Sequence, residues 1–152
     1  MTVDLSFRRA TDADVGAVRD LTRTAYAKWV PIIGREPKPM TADYAAAVRD
    51  HRIDLAYLNG TLAALIETID EGAHLLIENI AVAPACQGCG IGTRLLAHAE
   101  RLARSRGHAT VRLYTNKLFI ENVELYLRRG YQIDREEPVT GGIVIHMRKL
   151  IG

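Results

Sequence analysis

Residues 80–96 read IAVAPACQGCGIGTRLL: an apolar strand runs into a proline, then a turn with glycines at 88, 90 and 92, then the first turns of a helix. Alternating glycines leave bare backbone whose N–H groups can point outward together, at the positive end of the helix that follows. Such a cradle suits phosphate. The spacing limits which phosphate ligand it fits. A Walker loop needs Lys and then Ser or Thr after its last glycine, whereas Gly92 is followed by Thr93 and Arg94. A dinucleotide fingerprint needs G-x-G-x-x-G after the first strand of a parallel unit, with an acid about 20 residues on. Here the glycines come late in the chain, so both nucleotide folds are disfavoured.

Upstream of this stretch, residues 74–82 predict a strand rich in Leu and Ile. Residues 53–58 and 62–69 predict two more, joined at Asn59-Gly60, the dipeptide that best tolerates the positive φ angles of a two-residue hairpin turn. With a turn at Asp70, Glu71 and Gly72, the three form an antiparallel meander. Near the N-terminus Val3, Leu5 and Phe7 alternate with polar neighbours, as in a strand with one buried face. Thr11, with Asp14 three residues on, then opens a helix whose apolar positions are Val15, Val18, Leu21, Ala25 and Trp29. Residues 30–40 hold three of the five prolines and a glycine, which predicts an ordered surface loop without regular helix. A short second helix is expected over 41–49.

Downstream, Ile91, Leu95, Ala99 and Leu102 fall on one helical face, with Arg94, His98, Arg101 and Arg104 on others, and Gly107 closes the helix. Residues 110–115 predict a strand. Because a helix links it to the strand at 74–82, those two should run parallel. A short helix over 121–129, ended by Gly130, and strands over 131–135 and 143–149 complete the order β-α-α-β-β-β-α-β-α-β-β. This order implies an α/β (α+β) fold: a central mixed, mainly antiparallel sheet with helices on both faces, and not a doubly wound one.

Composition narrows the function classes. The 152 residues carry 20 basic and 18 acidic side chains spread evenly, net +2, with no footprint for nucleic acid. No apolar run approaches a signal peptide or a membrane span, so a soluble cytoplasmic protein without membrane partners is the expectation, with residues 1–152 as one domain. Cys86 and Cys89 lie too close together to staple distant parts of a fold. The five histidines show no metal-ligand spacing, and no metal is expected.

The surviving pattern is Q-x-x-G-x-G at Gln87, Gly90 and Gly92, entered from AVAP and leaving into a helix. It resembles the acyl-CoA signature of the GNAT superfamily of acetyl-CoA-dependent N-acetyltransferases, and the predicted strand order matches that fold along nearly the whole chain. The resemblance implies that the backbone from Gln87 through Gly88, Cys89, Gly90, Ile91 and Gly92 to Thr93 binds the diphosphate of coenzyme A. It also implies that Ile80, Ala81 and Val82 pair with the pantetheine arm, and that an N–H near Ala81 or Val82 receives the oxyanion. Glu78, a strand carboxylate among the apolar Leu76 and Ile80, is costly unless paired or neutral. It is read as the general base, against the alternative of a salt-bridged edge residue. Asn122 and Tyr126, four apart on one helical face, match ENVELYLRRGY in the family, where the Asn bonds pantetheine and the Tyr protonates the departing thiolate. Asn116, after its strand, is a further candidate for the cofactor cleft.

The implied reaction is direct transfer of an acetyl group from acetyl-CoA to the primary amine of a small molecule or peptide. It requires the strands at 74–82 and 110–115 to splay around the thioester. Tyr26, Trp29, Arg35 and Met40 are the candidates for the acceptor pocket. The mixed charges of Lys28, Arg35, Glu36 and Lys38 do not choose among amines, and monomer and homodimer both stay open. Two other readings remain: a thiol–disulfide redox protein using Cys86 and Cys89, since a helix N-terminus lowers a thiol pKa, and a non-catalytic CoA-binding module.

Overall fold

The computed structural model describes residues 4–152, so the expected contribution of Val3 to the first strand lies outside the described residues. Seven strands form one sheet: β1 (Leu5–Arg9), β2 (Arg52–Leu58), β3 (Thr61–Asp70), β4 (Leu75–Val82), β5 (Thr110–Asn116), β6 (Gln132–Val139) and β7 (Gly142–Leu150). Their spatial order is β1-β2-β3-β4-β5-β7-β6. Every pairing is antiparallel except β4 with β5, where a helix makes the connection. The helices are α1 (Val15–Tyr26), α2 (Val30–Ile33), α3 (Tyr44–Asp50), α4 (Ile91–Ser105) and α5 (Ile120–Arg128). No helix among the described residues is long and apolar enough to cross a membrane.

The two faces of the sheet carry separate cores. On one, Val18, Ala25, Tyr44 and Val48 of α1 and α3 pack against Ile53, Leu55 and Leu65. On the other, Leu95, Leu96, Ala99 and Ala103 of α4 cover Ile66, Leu75, Val111 and Met147, and Tyr126 of α5 extends that layer. Alternate residues of β2 and β3 feed opposite faces, which is why those strands read as nearly continuous apolar runs. The Asn59-Gly60 hairpin is as expected, with φ of 51° and 85°.

Three local expectations need correction. Residues 30–40 do contain helix: Pro31 sits in the first turn of α2, where its missing N–H has no partner to lose, and Gly34 ends the turn at φ 75°. A 3-10 turn follows over Lys38–Met40. The first long helix stops at Tyr26 and passes through a 3-10 turn, Ala27–Trp29, so Trp29 lies beyond it. Finally, β6 runs on through Pro138 to Val139, because it is an edge strand and a proline there need not break a ladder bond.

A polar cluster sits under α4. Asp54, on the α4 face of β2, is 2% exposed and accepts from Arg52 Nε at 3.0 Å and pairs with His98 Nε2 at 2.9 Å, while His98 stacks on Phe7 at 3.9 Å. Burial of Asp54 works against its charge, but the bonds from His98 and Arg52 outweigh it and hold the carboxyl below its ordinary pKa. A depressed folded-state pKa adds stability above the unfolded value, about 3.9, and that stability is lost as pH falls through the folded value. Asp54→Ala is therefore expected to cost about 3 kcal/mol at pH 7, the order seen when one partner of a buried pair is removed. The wild-type advantage should shrink below about pH 4. Urea midpoints at pH 7 and pH 3 check both points, and an undiminished gap at pH 3 would contradict the linkage.

Candidate active site

The site begins with an irregularity in β4. Its register with β3 runs Glu67 opposite Asn79 and then Thr68 opposite Ile77, so Glu78 is an extra, unpaired residue: a β-bulge. The bulge reverses the faces of the strand. Leu75 and Ile77 point into the α4 core, whereas beyond the bulge Ala81 joins the α1–α3 core and Ile80 and Val82 take the α4 side. Pairing with β5 ends at the same place, holding only from Leu75 opposite Val111 to Ile77 opposite Leu113. Past Ile77 the parallel strands separate, as the thioester-binding reading requires, and the outer edge of β4 is open. Ile80 therefore does not share the face of Glu78 as simple alternation predicts.

The open edge has a definite polarity. The Ala83 N–H donates to the Ala63 carbonyl of β3 at 2.8 Å, and successive strand N–H groups point to opposite edges. The N–H groups of Ile80 and Val82 therefore face the gap, while that of Ala81 faces β3. Gln87 Nε2 caps the Val82 carbonyl on the gap side at 2.9 Å, and Gln87 Oε1 accepts from Lys28 Nζ at 2.9 Å.

Two cavities meet at this gap. One, of about 360 Å³, lies under the glycine turn and is lined by Gln87, Gly88, Gly90, Ile91, Gly92 and Thr93, with Lys28 and Arg128 at its walls. The three glycines have different physical causes. Gly88 and Gly90 both have φ of 80°, in the left-handed region. Gly92 is helical, and a Cβ there would lie 3.0 Å from Leu125 Cδ2, so it lets α5 approach α4. Gly90 is also the N-cap of α4, and no side chain caps that helix. The first N–H groups of a helix have no partner within it, so those of residues 91–93 are presented to the cavity.

Gly90→Ala meets no neighbour within 4 Å but is strained by its φ. It should cost about 1–2 kcal/mol of stability and raise the acetyl-CoA KM several-fold. Gly60→Ala, at φ 85° on the distant hairpin, is the control: it should match the stability loss and leave KM unchanged. Equal KM values for the two variants would remove the loop from ligand binding.

The second cavity, about 640 Å³, opens on the other side of the gap and is lined by Glu78, Tyr114, His146, Arg35, Lys38 and Asn116 among others. The Tyr114 hydroxyl donates a short hydrogen bond to Glu78 Oε1, so the carboxylate is half-buried but paired. Burial, with the bond and charge of Glu78 added, pushes the Tyr114 phenol well above its ordinary pKa. His146 Nε2 pairs with Glu137 Oε1 at 2.8 Å on the same wall. Behind the bulge Asn79 is 4% exposed. It accepts from the Tyr26 hydroxyl at 2.9 Å and donates to the Tyr44 oxygen at 3.3 Å, and the Tyr44 hydroxyl donates to the Pro39 carbonyl at 2.6 Å. This chain ties α1, α3 and the 37–40 turn to the bulge.

Four residues line both cavities: Tyr26, Ile80, Asn122 and Tyr126. Tyr126 is buried, and desolvation alone pushes its phenol up to about 12, so at neutral pH it holds its proton.

The acetyltransferase (GNAT) family model matches residues 17–131, most of the chain. The chain belongs to the GNAT acetyltransferase family. It is 35% identical over 79 residues to N-alpha-acetyltransferase 80 of Mus musculus, a match that covers 52% of this chain but only 23% of that longer protein. Its fold is similar to that of the PaiA N-acetyltransferase of Thermoplasma acidophilum, solved with coenzyme A, at a TM-score of 0.80 and 17% identity over 97% of this chain and 99% of that one. It is also similar to the ribosomal-protein-S18-alanine N-acetyltransferase of Escherichia coli, at a TM-score of 0.79 and 23% identity over 98% and 95% of the two chains.

Against this GNAT framework the expected site residues divide. Residues 87, 88 and 90–93 line the loop cavity together with Val82, while Ala81 is buried with its N–H turned away from the gap. Cys89 is exposed outside the cavity lining, Cys86 is half-buried within it, and both thiols are free. Asn116 lines the second cavity and not the cofactor side, its Oδ1 accepting the Leu118 N–H at 2.9 Å as a turn residue does. Of the acceptor-pocket candidates, Tyr26 and Arg35 do line the second cavity. Trp29 instead faces the loop cavity, stacked on Phe119 at 4.5 Å, and Met40 is buried and lines neither. The GNAT reading of the sequence missed Tyr114, Asn79 and His146, which are remote from Glu78 in the chain or hidden in strand patterns. Only the alternation of polar residues in β5 offered a trace of Tyr114.

Proposed function

We propose that residues 1–152 act as one N-acetyltransferase domain that moves an acetyl group from acetyl-CoA to a primary amine of a small molecule or peptide by direct attack. The observation that carries this reading is the junction of the two cavities at the splayed end of β4, where the donor and acceptor sides share Tyr126, Asn122, Ile80 and Tyr26. The 79-residue similarity to an N-alpha-acetyltransferase supports nitrogen as the acceptor atom.

In this reading the diphosphate rests on the N–H groups of the glycine turn and the α4 N-terminus, with Lys28 and Arg128 beside it. The pantetheine arm lies along the open edge of β4 as an added strand, with Asn122 bonding it. The Ile80 N–H, at the junction of the cavities, receives the oxyanion of the tetrahedral intermediate. Glu78, directly or through water, takes the proton from the attacking amine. The C–S bond then breaks, and the departing thiolate takes the hydroxyl proton of Tyr126. A phenol held near 12 is a weak acid for an ordinary thiolate, but the thiolate leaves into the same desolvated setting, which raises its own proton affinity.

The compartment we propose is the cytoplasm. A thermal-shift titration with acetyl-CoA tests the donor side, because a ligand held only by the native state raises its stability with the logarithm of concentration. Thiol release across a broad amine panel tests the reaction. No stabilisation by millimolar acetyl-CoA would overturn the reading, and stabilisation without thiol release from any amine would leave only a CoA-binding module.

A further inference from the structure

The charges that the sequence leaves mixed near residue 35 are sorted by the fold. Lys28 belongs to the loop cavity, bonded to Gln87. Glu36 is paired with Arg23 at 2.9 Å and does not line the second cavity. What remains facing that cavity from the 35–40 segment is Arg35 and Lys38, and neither forms an ion pair among the described residues. The acids of the same cavity are differently placed. Glu78 holds the Tyr114 hydroxyl and Glu137 is paired with His146.

Both cations are exposed, but the segments that carry them are tied to the fold. Arg35 Nη2 donates to the Thr140 carbonyl at 3.2 Å, at the tip of the β6–β7 hairpin. It lies against Gly141, where a Cβ would fall 2.7 Å from Arg35 Nε, and the φ of 82° at that position already calls for glycine. The turn carrying Lys38 is pinned by the Tyr44 bond to Pro39 and by Arg23 Nη1, which donates to the Met40 carbonyl at 2.7 Å. Lys38 Nζ stands 6.0 Å from the centre of the Tyr114 ring, and the hydroxyl of that same ring holds Glu78. One tyrosine thus links the carboxylate that takes the amine's proton to a cation with no ion-pair partner among the described residues.

Resting on the acetyl-transfer reading above, the geometry points to an acceptor class: primary amines that carry their own anionic group, a carboxylate or a phosphate, a few bonds from the nitrogen. The amine sits at Glu78 and the anion on Lys38 and Arg35. A polyamine would place its second cation where these two already stand, and like charges there repel it. A simple alkylamine would leave both cations unmatched.

The test is a panel of matched acceptors under saturating acetyl-CoA: glycine with glycinamide, O-phosphoethanolamine with ethanolamine, and Glu-Ala-Ala amide with Gln-Ala-Ala amide, with spermidine added. The anionic member of at least one pair is expected to exceed its neutral partner by about tenfold or more in kcat/KM, and the double variant Arg35→Gln/Lys38→Gln to bring that ratio within about threefold. The acetyl-CoA KM should not move, and added salt should erode the preference of the wild type. The pair that responds tells carboxylate from phosphate. A preference for ethanolamine, glycinamide or spermidine, or a ratio that survives the double variant, overturns the inference while leaving amine acetylation intact. Thiol release with no amine at all overturns the acetyl-transfer reading and the inference with it.

Discussion

Replacing Tyr126 by Phe is expected to lower kcat by about a hundredfold or more, the usual scale for losing a general acid, while leaving the acetyl-CoA KM and the melting temperature close to those of the wild type. The ring is what the fold uses: it packs edge-on to Tyr131 at 6.2 Å in the α4-side core, and Phe preserves that contact. The hydroxyl is the acid of the proposed reaction. It belongs to a buried phenol that keeps its proton at neutral pH, and no hydrogen bond within the described residues occupies it. Without it the thiolate must leave unassisted. Steady-state kinetics and a thermal melt separate the two roles: a kcat within about threefold of wild type would reduce Tyr126 to packing, and a collapse of the melting temperature would show that the hydroxyl serves the fold.

Glu78→Gln should have an effect of similar size, about 10²- to 10³-fold in kcat/KM for the amine. The amide keeps the shape and still accepts from Tyr114, so the bulge should survive, but it cannot take a proton. The residual rate should then rise with pH as the amine loses its proton to solvent, and this steeper pH dependence is the signature to look for. Tyr114→Phe should produce a smaller loss, because it frees the carboxylate without removing it. An unchanged rate in Glu78→Gln would mean that the amine arrives neutral and needs no base from the protein.

Much of this architecture is legible in the residues. The hairpin at Asn59-Gly60, the helix after Gly90 and the Asn122–Tyr126 spacing are local facts, each decided within a few residues by φ preferences or by the helical repeat. The glycine turn is legible for the same reason, since a backbone that needs positive φ at 88 and 90 announces itself with glycine. What alternation could not reveal is the bulge at Glu78. A bulge is a property of the pairing between β3 and β4, and it turns Ile80 away from the face of Glu78 and Ala81 away from the gap. Trp29 and Met40 lie off the second cavity for a related reason. An apolar residue near a loop can face the pocket, the cofactor side or the core, and only the packing of α1, Phe119 and the 37–40 turn selects among them.

The chain by itself therefore determined the succession of its strands and longer helices, its family and the glycine turn ahead of α4, because these rest on short-range geometry and on glycine spacing. The tertiary structure alone decided which charges face the second cavity. Lys28, Arg35, Glu36 and Lys38 lie within eleven consecutive residues, and no local rule distinguishes them. Folding sends Lys28 to Gln87 and Glu36 to Arg23 and leaves Arg35 and Lys38 over the cavity, because an ion's role depends on which distant partner comes within a few ångströms of it.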